Sequence, residues 1–231
     1  MEQSIVSNNN VSIVGEIVSE FTFSHQVYGE GFYTFYVDVS RLSDIYDRLP
    51  VTISERLVNI SELTEGTKVH ITGQVRSYNS FVTEDKRNKL ILTVFARNLE
   101  PVVEEEMRNP NEIILNGYIC KQPVFRKTPF GREISDILLA VNRSYNKSDY
   151  IPCIAWGRNA RYISNMNVGD NVIIHGRMQS RNYQKKFENG DVIEKTAYEI
   201  SISKIEVRTE KEEPTENNHP QSIEELVKME R

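Results

Sequence analysis

The clearest alternation of apolar and polar positions lies in KTAYEISISKIEV, residues 195–207, where Tyr198, Ile200, Ile202 and Ile205 or Val207 are set against Glu199, Ser201, Ser203 and Lys204. Strand side chains point to opposite faces in turn, so this pattern predicts a half-buried β-strand, and its break near Lys204 predicts a bulge or frayed edge. Four earlier segments also read as strands: 112–121 (EIILNGYICK), 132–143 (REISDILLAVNR), 149–156 (DYIPCIAW) and 171–182 (NVIIHGRMQSRN). Between the third and fourth, Ala160, Ile163 and Met166 recur at a step of three, the apolar face of a short helix. Gly117 and Gly176 interrupt strand patterns. A glycine there weakens the strand unless the chain bends sharply or another backbone approaches, so both are read as barrel geometry. No GxxxxGK[ST] or GxGxxG phosphate loop occurs.

The pattern is present twice. EGTKVHITGQVRSYN (65–79) matches VGDNVIIHGRMQSRN (168–182) at an offset of 103, and upstream the offset is 102, pairing Gly15 with Gly117, Gly29 with Gly131 and Val39-Ser40-Arg41 with Val141-Asn142-Arg143. Leu57, Ile60 and Leu63 match Ala160, Ile163 and Met166, so the helix is expected in both copies. The order β-β-β-α-β-β is that of the OB-fold, a small five-stranded barrel that binds oligonucleotides or oligosaccharides. The predicted fold class is all-β: two tandem OB-fold five-stranded barrels, each with a short helix between strands 3 and 4. They occupy residues 11–99 and 113–207, with a disordered polar leader over 1–10, an acidic linker over 100–112 and a polar acidic tail over 208–231.

Charge separates the two copies. The net charge of −5 hides 9 basic against 12 acidic residues in 1–99 and 14 against 9 in 113–207, so only the second copy is basic. Such asymmetry suggests that one domain meets a polyanion. The two cysteines, Cys120 and Cys153, have no CxxC or His pair beside them and read as buried free thiols. The four histidines are scattered, and Glu104, Glu105 and Glu106 read as a solvated linker, so no catalytic constellation, metal or cofactor is expected. The opening MEQSIVSNNN lacks the pattern of a secretory leader, and no apolar run is long enough to span a bilayer, which gives cytoplasmic residence as the expectation.

A surface for single-stranded nucleic acid needs rings on which bases stack and cations for phosphates. The second copy interleaves both: Phe125 with Arg126 and Lys127, Phe130 with Arg132, Tyr145 with Arg143 and Lys147, Trp156 with Arg158, and Tyr183 and Phe187 with Arg181, Lys185 and Lys186. Core packing is the competing explanation for any single ring. In the first copy Tyr33 and Phe35 share a face with Val37 and Val39 and are expected in the core, leaving Phe32 and Tyr36 outward. Arg41, Arg76, Tyr78 and Phe81 complete that copy's candidates, while Ser54 stands where Trp156 stands in the second.

The segments NEIILNGYICKQPVFRKTPFG (111–131), DILLAVNRSY (136–145), DYIPCIAWGRNA (149–160) and VGDNVIIHGRMQSRNY (168–183) resemble the bacterial single-stranded DNA-binding protein family. The resemblance covers essentially the whole second copy. It implies stacking of bases on Trp156 and Tyr183, and a phosphate path near Arg126, Arg143 and Arg177. It also implies a homodimer, because members commonly assemble four OB-folds, and a nucleoid-associated protein serving replication, recombination or repair. Members commonly end in an acidic tail closing with Asp-Ile-Pro-Phe that recruits partner proteins, whereas this chain ends SIEELVKMER, a short amphipathic stripe that would fold only on a partner. A single-stranded RNA-binding module and a protein-interaction scaffold built on the first copy and the tail remain as alternatives.

Overall fold

A computed structural model describes residues 8–41, 43, 45–82, 87–102, 110–186 and 192–208. The first repeat forms β1 (Asn9–Ile17), β2 (Thr22–Val27), β3 (Glu30–Ser40), β4 (Tyr46–Ser54), β5 (Lys68–Val82) and β6 (Arg87–Pro101). The second forms β7 (Asn111–Ile119), β8 (Val124–Lys127), β9 (Glu133–Arg143), β10 (Lys147–Trp156), helix α1 (Gly157–Ile163), β11 (Asn171–Lys186) and β12 (Val192–Val207). In the first repeat β1 pairs with β3, β3 with β4, β4 with β6 in parallel, β6 with β5, and β5 with β1 again. The second closes identically through β7, β9, β10, β12 and β11. Two closed five-stranded OB barrels result, as expected. The short strands β2 and β8, unforeseen in the sequence, lie outside closure and pair only with β3 and β9.

The barrels share one sheet, because β1 pairs antiparallel with β7, Val11 opposite Ile113. That places a local two-fold between the copies. Asn9 and Asn111 are equivalent and buried, and each amide acts as an extra rung: Asn9 Nδ2 donates to Val75 O at 2.8 Å while its Oδ1 accepts from Val75 N at 2.9 Å. Asn111 does the same with Met178, at 2.8 and 3.0 Å. These bonds draw Asn9 and Asn10 out of the expected leader and into β1. The linker is likewise shorter than expected at both ends, with β6 running to Pro101 and β7 starting at Asn111. Residues 103–109 and the tail beyond 208 lie outside the described residues.

The bulge expected near Lys204 is present: His175 faces Lys204 but Gly176 faces Ile202, skipping Ser203. The first barrel repeats it, Thr72 facing Asn98 and Gly73 facing Ala96. There the backbones come so close that a Cβ on Gly176 would lie 2.3 Å from Ser201 O, and one on Gly73 2.2 Å from Phe95 O. Ile200 and Ile202 fill the second core and Phe35, Val37 and Val39 the first, as alternation required. The helix, however, forms only in the second repeat; the first has a single 3-10 turn, Ile60–Glu62. Its sequence there, SERLVNISEL, offers β-branched Val58 and Ile60, whose stiff side chains lower helix propensity, and Asn59 Nδ2 donates to Glu62 Oε1 at 2.7 Å across the single turn that does form.

Candidate nucleic-acid interface

Register fixes which side chains share the outer face of the second barrel. On β8, β9 and β10, Arg126, Ile134 and Trp156 lie side by side, as do Val124, Asp136 and Ile154. Ile134 and Ile154 are buried there although they point away from the core interior, so they form an apolar floor, and Trp156 stands at its end with 38% of its surface exposed. The face continues across β12 and β11, where Gln179 opposes Glu199, Arg181 opposes Ala197 and Tyr183 opposes Lys195. Arg181 lies 5.9 Å from the centre of the Tyr183 ring, a cation–π contact that holds the phenol in place. Both rings named by the resemblance therefore lie on one solvent-facing surface of continuous sheet.

Other candidates flank it. Phe130 and Tyr145 are almost wholly exposed at hairpin turns, and Phe125 is partly exposed on β8. Arg132 and Arg158 are exposed and make no ion pair among the described residues. Lys127 reaches Glu133 at 4.0 Å. Arg126 is clamped to Asp136 through Nε at 2.7 Å and Nη2 at 3.3 Å, which raises the guanidinium's affinity for its proton. Lys185 lies near the end of β11. Phe187 lies outside the described residues.

Two of the expected phosphate ligands, Arg143 and Arg177, and two first-barrel candidates, Arg41 and Arg76, are held by buried carboxylates. Asp47 and its repeat equivalent Asp149 are 1% and 0% exposed, and a buried carboxylate persists only with cationic and hydrogen-bonding partners. Asp47 accepts from Arg41 of its own barrel at 2.5 and 2.8 Å, from Arg177 of the other at 2.8 Å and from the Ser180 amide at 2.9 Å. Asp149 accepts from Arg143 of its own barrel at 3.4 Å, from Arg76 of the other at 2.9 Å and from the Ser77 amide at 2.8 Å. Arg41, Arg76, Arg143 and Arg177 thus tie the barrels together at two equivalent junctions. Arginine and glutamine exchange places between them: Gln74 and Arg76 correspond to Arg177 and Gln179, two residues apart on one strand face, and in each pair the arginine donates to the glutamine. Beside the junctions Tyr198 is pushed up to about 12 by burial, with Tyr36 next to it.

The first barrel's outer face holds rings that the sequence did not single out. His25 stacks on Phe32, with centroids 4.9 Å apart and planes 7° from parallel, and Phe95 lies 5.7 Å beyond. Tyr78, half exposed, has its phenol raised chiefly by burial. Tyr36 is exposed on the same side, Phe81 lies near the end of β5, and Ser54 opposes Phe32 as Trp156 opposes Ile134. The signal for His25 and Phe95 lay in strand parity with Phe32, and it needed the unforeseen β2 to be read.

Among the described residues no group of three or more His, Cys, Asp or Glu is placed to hold a metal, and no helix is long and apolar enough to cross a membrane. The family model described as Single-strand binding protein family matches residues 110–208, the whole second barrel. Single-stranded DNA-binding protein A of Bacillus subtilis is 34% identical over 83 residues, 33% of this chain and 48% of that protein, so the chain spans about half the length of several curated relatives that it matches. A crystal structure of a deletion mutant of the single-stranded DNA binding protein from Thermus aquaticus superposes with a TM-score of 0.68 at 19% identity, covering 90% of this chain and 98% of that one, a likeness of fold. Single-stranded DNA-binding protein 2 of Listeria innocua is 30% identical over 116 residues, 47% of this chain and 72% of that protein, and with it the chain belongs to the single-strand binding protein family.

Proposed function

We propose that the chain binds single-stranded DNA with little sequence preference, keeping it unpaired during replication, recombination or repair. The observation that carries this reading is the lone tryptophan, Trp156, exposed at the end of an apolar floor on the barrel that the family model spans. Bases freed from pairing stack on Trp156 and Tyr183, while Arg132 and Arg158 take phosphates. No bond is made or broken. A homodimer presenting four barrels in the cytoplasm is part of the proposal, as is recruitment of replication or repair proteins through the tail or the first barrel.

Because no second indole competes, titration with dT oligomers of increasing length, read by tryptophan emission and paired with a mass measurement, tests the site and the assembly together. Emission should be quenched on binding. Trp156→Ala should weaken binding by about ten- to a hundredfold, since each stacked base contributes roughly 1 to 3 kcal/mol, while Ser54→Ala leaves it unchanged. Unaltered emission with no oligomer retained would refute the proposal.

A further inference from the structure

The junction at Asp149 opens onto a cleft of about 500 Å³ on the outer face of the first barrel, a size that suits one small ligand group. Its wall is aromatic on one side, His25 and Phe95 flanking Phe32, and carries Tyr78 on another. Its cations come from both barrels: Arg76 from β5 and, across the junction, Arg143 from β9 of the second barrel. We propose that this cleft holds one base and its phosphate from a single strand, as a composite subsite that the first barrel cannot complete alone; it rests on the single-stranded DNA reading above and assigns Arg143 to the neighbouring barrel.

Three observations support it. Arg76 and Arg143 share a single carboxylate, so one positive charge remains uncompensated at the cleft. Arg143 touches Asp149 only through Nη1, at 3.4 Å, and its other nitrogens make no hydrogen bond among the described residues, leaving donors to turn onto an anion. The second barrel, moreover, lacks the equivalent. Where Thr93 opposes Arg76 in the first barrel, Glu199 opposes Gln179 in the second and holds Gln179 and Arg181 to itself. A carboxylate there repels a phosphate that Thr93 admits. Asp149 acts as a positioning residue, fixing both guanidinium groups from beneath.

The test moves the only indole into the cleft. In the full chain carrying Trp156→Phe and Phe95→Trp, dT oligomers should quench the emission, and adding Arg143→Gln should raise the oligomer concentration needed by about tenfold, the loss of one charged phosphate contact. Lys121→Gln, an exposed cation of the second barrel that does not line the cleft, should leave the midpoint in place. No quenching under conditions where Trp156 of the unsubstituted chain is quenched would overturn the subsite and leave the second barrel's site standing. An equal shift with both charge substitutions would also overturn it. If Trp156 of the unsubstituted chain is not quenched either and no oligomer is retained, the DNA reading itself fails. Should Phe95→Trp disturb the sheet, seen in far-ultraviolet circular dichroism, photocross-linking of a 4-thiothymidine oligomer to the unsubstituted chain gives the same decision: adducts on peptides carrying His25 or Tyr78 support the subsite, and adducts confined to the second barrel overturn it.

Discussion

Removing the Asp149 carboxylate should cost the chain much of its margin of stability. Asp149→Ala takes an acceptor from the Ser77 amide at 2.8 Å, from Arg76 at 2.9 Å and from Arg143 at 3.4 Å, and the carboxylate is wholly buried. Breaking a buried ion pair by deleting one partner costs about 3 to 5 kcal/mol. Here the arginine side chains keep 23% and 33% exposure and can turn to water, so the lower end applies, about 3 kcal/mol. For a folded unit of this size each kcal/mol lowers Tm by about 2 to 4 °C, giving a fall of about 6 to 12 °C. Differential scanning calorimetry measures it directly. Asp149→Asn retains an acceptor for Ser77 and should fall between the two. Asp38→Ala removes an exposed pair with Arg48, whose side chain is 60% exposed, and should cost under about 1 kcal/mol. If Asp149→Ala melts within about 2 °C of the unsubstituted chain, the junction does not hold the barrels as the geometry implies.

Two further outcomes are expected. Gly176→Ala drives a Cβ to 2.3 Å from Ser201 O and should destabilise the second barrel by about 1 to 3 kcal/mol, an overpacking cost readable in urea titrations; an unchanged midpoint would show that the bulge can open. Burial raises both thiols, Cys153 the more, so at pH 8 less thiolate is present than on a free cysteine. An aromatic disulfide reagent should therefore leave Cys153 untouched until the chain is unfolded and react with Cys120 slowly; rapid modification of both in the native chain would contradict the burial.

Local pattern carried far because an OB barrel is built from alternation and close backbone crossings. Tyr198 to Ile202, the break near Lys204 and the glycines at 73 and 176 marked strand, bulge and crossing, since each is a constraint between neighbours in the chain. A step of three apolar residues marks only a face, so it does not guarantee a helix in the first repeat, where β-branched Val58 and Ile60 lower helix propensity and only one 3-10 turn forms. Strands β2 and β8 escaped notice because all their residues are exposed or nearly so, and without burial there is no alternation to read.

Two copies of one barrel, and the apolar faces of their strands, were legible in the chain alone, because periodicity and repeat offset are properties of residue order. Where the arginines point depends on contacts between the two barrels. The resemblance puts Arg143 and Arg177 on a phosphate path, but two buried carboxylates more than a hundred residues apart in sequence hold them, together with Arg41 and Arg76, at the interface. A cation is held by whichever anion lies within a few ångströms of it in space, and residue order carries no record of that distance.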